Sequence, residues 1–306
     1  MSSLFAFPGQ GAQQVGMLHQ LPAGTSASLE EASDALGEEV LALDSDEALH
    51  STRAVQLCLL VAGVACARLL LQRSPAPDYV AGLSIGAYAA AVIAGSLDFA
   101  DAVRLVALRG ELMQRAYPQG YGMTAIMGLD QATVERLLAE AEGPVFLANI
   151  NADNQLVIAG SDAAMAAVAE RARALGAGAA KRLAVSVPSH CQLLEAPARE
   201  LAAAFAEVEL CRPAIRYLSG SSARPILDPE RLRDDLAFNM CRVVDWHGTL
   251  RTAYERGVRL HLELPPGAVL SGLARRVFEQ GTVVAFQGAR LDTLDALLRE
   301  EVSRSR

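Results

Sequence analysis

The sequence predicts an α/β fold in which a larger domain carries an inserted ferredoxin-like subdomain, and three observations point to it. Apolar runs of strand length alternate with segments of helical spacing. A Gly82-Leu83-Ser84-Ile85-Gly86 turn joins the apolar run Tyr79-Val80-Ala81 to the small-residue helix that begins at Ala87. Between Gly122 and His190 the elements read in the order βαββαβ, with the α/β pattern resuming afterwards. The expected boundaries are therefore a discontinuous large domain at residues 1–121 and 190–306 and a subdomain at 122–189.

Along the chain, a strand from Leu4 runs into Pro8-Gly9-Gln10-Gly11-Ala12-Gln13, a loop too rich in Gly and Pro for regular structure. A buried helix is expected around Ala54–Gln72. A further helix is expected at Asp98–Ala116, where the apolar spacing puts Arg104 and Arg109 on different faces. The subdomain is expected to hold strands at Met123–Met127, Pro144–Ile150, Gln155–Ala159 and Ala179–Val187, with helices at Gln131–Ala141 and Asp162–Leu175. Beyond it come helices at Leu193–Ala206 and from Asp228, a strand at Arg259–Leu264 and a last core strand at Val283–Phe286.

Composition narrows the function. A chain of 306 residues with net charge −8 lacks the clustered cations that phosphate backbones require, which argues against a nucleic-acid partner. Mean hydropathy of +0.23 fits a compact folded protein. The apolar stretch Val55–Leu71 is broken by Arg68, bracketed by Arg53 and Arg73, and falls short of about 20 clean residues. It reads as a core helix, so no membrane partner is expected. The N-terminus has no basic segment followed by a long apolar one, and the expected compartment is the cytoplasm. Five scattered cysteines without C-x-x-C pairs are expected to be reduced and buried, and no metal site is expected.

The G-x-S-x-G turn has the form of a nucleophile elbow. Its glycines allow a sharp strand-to-helix turn that lifts the Ser84 hydroxyl and aims the next amide at a developing oxyanion. A serine needs a base, and His19, His50, His190, His247 and His261 are available. Only His190 sits at a strand end beside Pro188-Ser189 at a domain junction, where its ring can face a cleft; His247 is the next candidate.

Four ordered motifs, Phe7-Pro8-Gly9-Gln10-Gly11-Ala12-Gln13, the elbow, Leu108-Arg109-Gly110-Glu111-Leu112-Met113-Gln114 and Val187-Pro188-Ser189-His190, resemble those of the malonyl-CoA:acyl-carrier-protein transacylases. The likeness continues through Asn149-Ile150-Asn151, Val157-Ile158-Ala159-Gly160 and Glu263-Leu264-Pro265-Pro266-Gly267, and so covers nearly the whole chain. It implies an α/β-hydrolase-like large domain, Ser84 as nucleophile, His190 as general base, and Gln10 with the Ile85 N–H as oxyanion hole. It also implies that Arg109 grips the malonyl carboxylate, a task suited to a planar guanidinium. Two positions depart from the family. Leu83 stands where histidine usually precedes the nucleophile, leaving an apolar side chain on the substrate side. Asn239 stands ahead of Trp246 in place of a glutamine whose carbonyl accepts from the catalytic histidine, and the resemblance implies that Asn239 offers His190 the same carbonyl on a shorter stem.

These motifs are most similar to the malonyl transferase (epsilon) subunits of bacterial malonate decarboxylases. That likeness implies transfer from malonyl-CoA to a carrier subunit bearing a dephospho-CoA-type thiol, with other decarboxylase subunits as partners. The alternative is the same chemistry on the phosphopantetheine thiol of an acyl carrier protein in fatty-acid synthesis. Neither needs a bound cofactor. A hydrolase using water is a third reading, opposed by the Arg109 motif, and a non-catalytic scaffold subunit a fourth.

Overall fold

The computed structural model describes residues 2–304. The chain opens with β1 (Ser2–Phe7), α1 (Ser26–Leu36), α2 (Thr52–Leu71), β2 (Tyr79–Gly82), α3 (Gly86–Ile93) and α4 (Phe99–Ala116). The middle segment follows as β3 (Tyr121–Met127), α5 (Gln131–Ala139), β4 (Val145–Ala152), β5 (Gln155–Ser161), α6 (Asp162–Ala174) and β6 (Ala179–Arg182). The chain returns through α7 (Glu195–Phe205), β7 (Arg216–Leu218), β8 (Pro225–Ile226), α8 (Pro229–Phe238), β9 (Val244–Asp245) and α9 (Trp246–Glu255). It ends in β10 (Val258–Glu263), α10 (Val269–Ala274), β11 (Thr282–Ala285) and α11 (Leu291–Arg304).

The result is an α/β fold with two sheets. The larger has the order β11-β10-β1-β2-β7-β8, parallel throughout except for antiparallel β8. The smaller has the order β6-β3-β5-β4-β9, antiparallel except where β9 joins β4. Its first four strands come from the βαββαβ segment, while β9 arrives from beyond residue 190. β1 and β2 are covered on both faces, so Leu4, Phe5, Val80 and Ala81 are wholly buried and the strands read as continuous apolar runs.

Helix α2 is long and apolar enough to cross a membrane, yet 89% of its apolar window is buried inside the protein, against α1, α3 and α4. Leu57, Leu60, Val61 and Val64 carry its core contact, each such side chain contributing roughly 1.5–3 kcal/mol on burial. In α4, Asp98 caps the N-terminus through the amides of Ala100 and Asp101, at 2.9 and 3.3 Å. The two arginines diverge as their spacing requires: Arg104 pairs with Asp101 at the surface, and Arg109 is fully buried.

Three expectations are corrected. The strand expected at Ala179–Val187 stops at Arg182, because its guanidinium folds back onto the carbonyls of Tyr121, Met123, Leu183 and Val185 and replaces ladder bonds with side-chain ones. The strand expected in the core at Val283–Phe286 is the half-buried edge strand β11. The cysteines are free, but only Cys58, Cys66 and Cys191 are buried; Cys211 is exposed and Cys241 half-buried.

Close backbone approach fixes the elbow. A Cβ on Gly82 would lie 1.9 Å from the Gly86 carbonyl carbon, and one on Gly86 would lie 2.2 Å from the Phe7 oxygen. Gly272, inside α10, faces open space. Gly86→Ala should therefore lower the unfolding free energy by about 1–3 kcal/mol or more, whereas Gly272→Ala should be neutral or stabilising by up to about 1 kcal/mol. Urea unfolding of the two variants checks this; equal effects would mean the elbow tolerates a side chain.

Candidate active site

At the end of β2 the chain turns through Ser84, whose φ of 56° lies in the left-handed region that costs a non-glycine residue roughly 1–2 kcal/mol. The turn is held by Leu83 N–H to Phe7 O at 3.0 Å, Gly86 N–H to Leu83 O at 3.0 Å and Ala87 N–H to Ser84 O at 3.1 Å. Ser84 is thereby lifted to the mouth of α3. The N–H of Ile85 follows it and donates to none of the backbone carbonyls of the described residues, while the Ile85 side chain is fully buried.

His190 meets this hydroxyl from the other side. It too has a left-handed φ, of 65°, and its N–H donates to Met240 O at 2.7 Å. Nε2 lies 2.8 Å from Ser84 Oγ, and Nδ1 lies 2.8 Å from the main-chain carbonyl of Asn239. A carbonyl can only accept, so Nδ1 carries the proton and Nε2 is left to accept from the serine. Burial pushes the imidazole down to about 4, aided by the nearby Arg109 charge, so the ring is neutral at ordinary pH.

This geometry corrects the role expected of Asn239. The ring is oriented by its backbone carbonyl. Its side chain, shorter than a glutamine, stays on the arginine and the elbow: Oδ1 accepts from Arg109 at 3.0 Å and Nδ2 donates to Ser84 O at 3.2 Å.

Arg109 occupies the centre. Its guanidinium donates to Gln56 Oε1 at 2.7 Å, to Asn239 Oδ1 at 3.0 Å and to Ser84 Oγ at 3.4 Å, and lies 5.9 Å from the Tyr88 ring centre. Every one of these partners is neutral. No carboxylate of the described residues pairs with it, and its Nε has no hydrogen-bond partner among them. Burial accordingly lowers its affinity for the proton.

Gln56 was not singled out in the sequence, although it is the one amide in the apolar run of α2. Fully buried, it accepts from Arg109 and donates to Gln10 Oε1 at 3.1 Å, linking the cation to the loop after β1. Gln10, Leu83, Ser84 and His190 all line a cleft of about 470 Å³ that Asn149, Val157 and Lys181 of the smaller sheet and Leu270 of α10 also line. His247 lies elsewhere, in a groove of about 1410 Å³, where its Nε2 pairs with Asp153 at 2.9 Å. It cannot stand in for His190. His261 is buried in β10, and His19 binds Asp44.

A neutral imidazole on a strained serine, beside a buried cation, is equipped for acyl chemistry. Residues 4–300 match the acyl transferase domain family. The malonyl CoA-acyl carrier protein transacylase of Escherichia coli K12 is 39% identical over 291 residues, covering 92% of this chain and 94% of that one. That of Haemophilus influenzae is 40% identical over 282 residues, covering 89% and 90%. Among solved structures, FabD from Acinetobacter baumannii superposes with a TM-score of 0.91 at 39% identity, covering 98% of this chain and 99% of that one. A malonyl-transacylase in complex with a type II PKS acyl-carrier protein gives 0.88 at 36% identity, covering 93% and 94%. The chain belongs to the malonyl CoA-acyl carrier protein transacylase family.

The lowered His190 value gives a pH signature. The unfolded chain takes the proton first, so this residue withdraws stability as pH falls from about 6.5 to about 4 and not above. Phosphonylation of Ser84 by a fluorophosphonate should keep its rate as pH falls through 6.5 and halve only near 4, with Arg109→Ala moving that midpoint upward. A midpoint at 6.5 in the wild type would show an imidazole open to water.

Proposed function

We propose that this protein transfers a malonyl group from malonyl-CoA to the thiol of an acyl carrier protein through an ester on Ser84. The observation that carries the acyl specificity is Arg109, a fully buried guanidinium with only neutral partners, 3.4 Å from the Ser84 oxygen. A buried cation is unfavourable until an anion joins it, and the free carboxylate of a malonyl thioester is such an anion, held by two parallel hydrogen bonds. The relatives' acyl group and carrier give the same substrate pair.

As Ser84 Oγ attacks the thioester carbonyl, its proton passes to His190 Nε2, and the positive ring is stabilised by the Asn239 carbonyl at Nδ1. The tetrahedral oxyanion takes hydrogen bonds from the Ile85 N–H and from Gln10. Collapse expels the CoA sulfur, which receives the proton from His190. The carrier thiol then gives its proton to His190 and attacks the ester; the carbon–oxygen bond breaks and Ser84 regains its proton. Leu83 lines the acyl side of the cleft and presents no competing hydrogen bond.

For the acceptor, the relatives favour the acyl carrier protein. The second reading, a malonate decarboxylase carrier with its sister subunits, rests on the elbow segment 82–88 with Leu83, the opening segment 5–19 and Leu264-Pro265-Pro266-Gly267. Preformed malonyl-enzyme offered both carriers at equal concentration separates the two by the faster acceptor. We also propose that residues 122–189 form the ferredoxin-like subdomain and that residues 1–121 and 190–306 form the hydrolase-like domain, with β9 bridging them.

Arg109→Ala should lower the malonyl-to-acetyl ratio of kcat/KM by about 1.5–3 kcal/mol, roughly ten- to a hundredfold. Steady-state rates with malonyl-CoA and acetyl-CoA measure it. Equal losses on both substrates would make Arg109 a packing residue and remove the basis for a carboxylate-bearing acyl group.

A further inference from the structure

We propose that Asp44 is a positioning residue for the transfer reaction, fixing the loop that presents Gln10 to the reacting carbonyl; the assignment rests on the role proposed above for Gln10. Asp44 follows the short 3-10 turn Val40–Leu43, and its side chain is fully buried. Oδ1 accepts from the N–H of Gly16 at 2.9 Å and of Met17 at 3.1 Å. Oδ2 accepts from the N–H of Leu18 at 2.6 Å and of His19 at 3.3 Å, with His19 Nδ1 a further 3.1 Å contact. Four consecutive amides thus converge on one carboxylate. Such a cradle holds a buried carboxylate by fixed dipoles, and the half-exposed His19 ring is the one basic side chain in contact with it among the described residues.

The loop makes few bonds of its own, and at its far end Asp44 acts together with Met17 N–H to Gln14 O at 3.1 Å and with the buried side chains of Met17 and Leu18. At its near end Gly9 presses on the elbow, where a Cβ would lie 2.8 Å from the Leu83 oxygen. Within residues 9–15 the main chain makes one bond to itself, a long one of 3.4 Å from Ala12 N–H to Gly9 O. Two side chains help, Gln13 on the Gly11 N–H and Gln287 on Gln14. At the far end Asp44 fixes the direction of the amides of residues 16–19. Gln10 lies between these two fixed points, with Gln56 steadying its side chain. An oxyanion donor works by being in place before charge develops, so a loop freed at one end loses rate without losing substrate.

The test is single-turnover acylation of Ser84 by saturating malonyl-CoA, at a temperature where every variant is folded. Asp44→Asn keeps the size but turns one acceptor into a donor facing N–H groups. Val40→Ala, buried on the same 3-10 turn, weakens packing without touching the amides. Asp44→Asn should lower the maximal acylation rate about ten- to a hundredfold with half-saturation unchanged, while Val40→Ala stays within about twofold of wild type. His19→Ala, which removes an exposed ring and one of the contacts, should lower it about two- to threefold. Should Asp44→Asn not fold, His19→Ala decides. Asp44→Asn acylating as fast as Val40→Ala, or an unchanged rate in His19→Ala, overturns the assignment. A wild type that forms no malonyl-enzyme overturns the proposed function with it.

Discussion

The buried guanidinium of Arg109 is the constraint around which the rest of the site is arranged. Removing a cation from water costs several kcal/mol even after relaxation, and here no carboxylate of the described residues offsets it. Gln56 from α2, Asn239 after α8 and Ser84 at the elbow each give it an oxygen instead. Parts of the chain far apart in sequence are thus drawn to one point. The same charge helps keep the His190 ring neutral, so one residue bears on both the imidazole and the serine beside it.

Strain and packing supply the precision. Ser84 and His190 are both left-handed non-glycine residues, and each is held there by main-chain bonds on either side. The elbow glycines permit the approach of β1, β2 and α3 that makes Ser84 protrude. Because these contacts are backbone to backbone, the position of Ser84 does not depend on any single flexible side chain.

Much of this was legible in the sequence. The elbow showed as two glycines around a serine between an apolar strand and a small-residue helix, and the small sheet as alternating elements of the right length. The face of α4 separated Arg109 from Arg104 by periodicity alone. What escaped was tertiary. That His190 is oriented by a main-chain carbonyl cannot be seen in the identity of Asn239, and the bonds of Gln56 and Asp44 join residues 46 and 25–28 positions apart. The early end of β6 reflects an arginine bonding to four carbonyls, a competition that strand propensity does not register. The pairing of β9 with β4 likewise joins segments that local pattern assigns to different bodies.

The whole proposed reaction turns on Ser84 carrying the malonyl group between two thiols. Its most direct test is to mix the protein with malonyl-CoA, quench in acid and map the modified peptide by mass spectrometry while titrating released CoA thiol. One malonyl ester per chain is expected, on the peptide containing Ser84, with an equal amount of CoA released and no free malonate. Release of CoA with malonate in solution and no ester, or an ester on another residue, would contradict it.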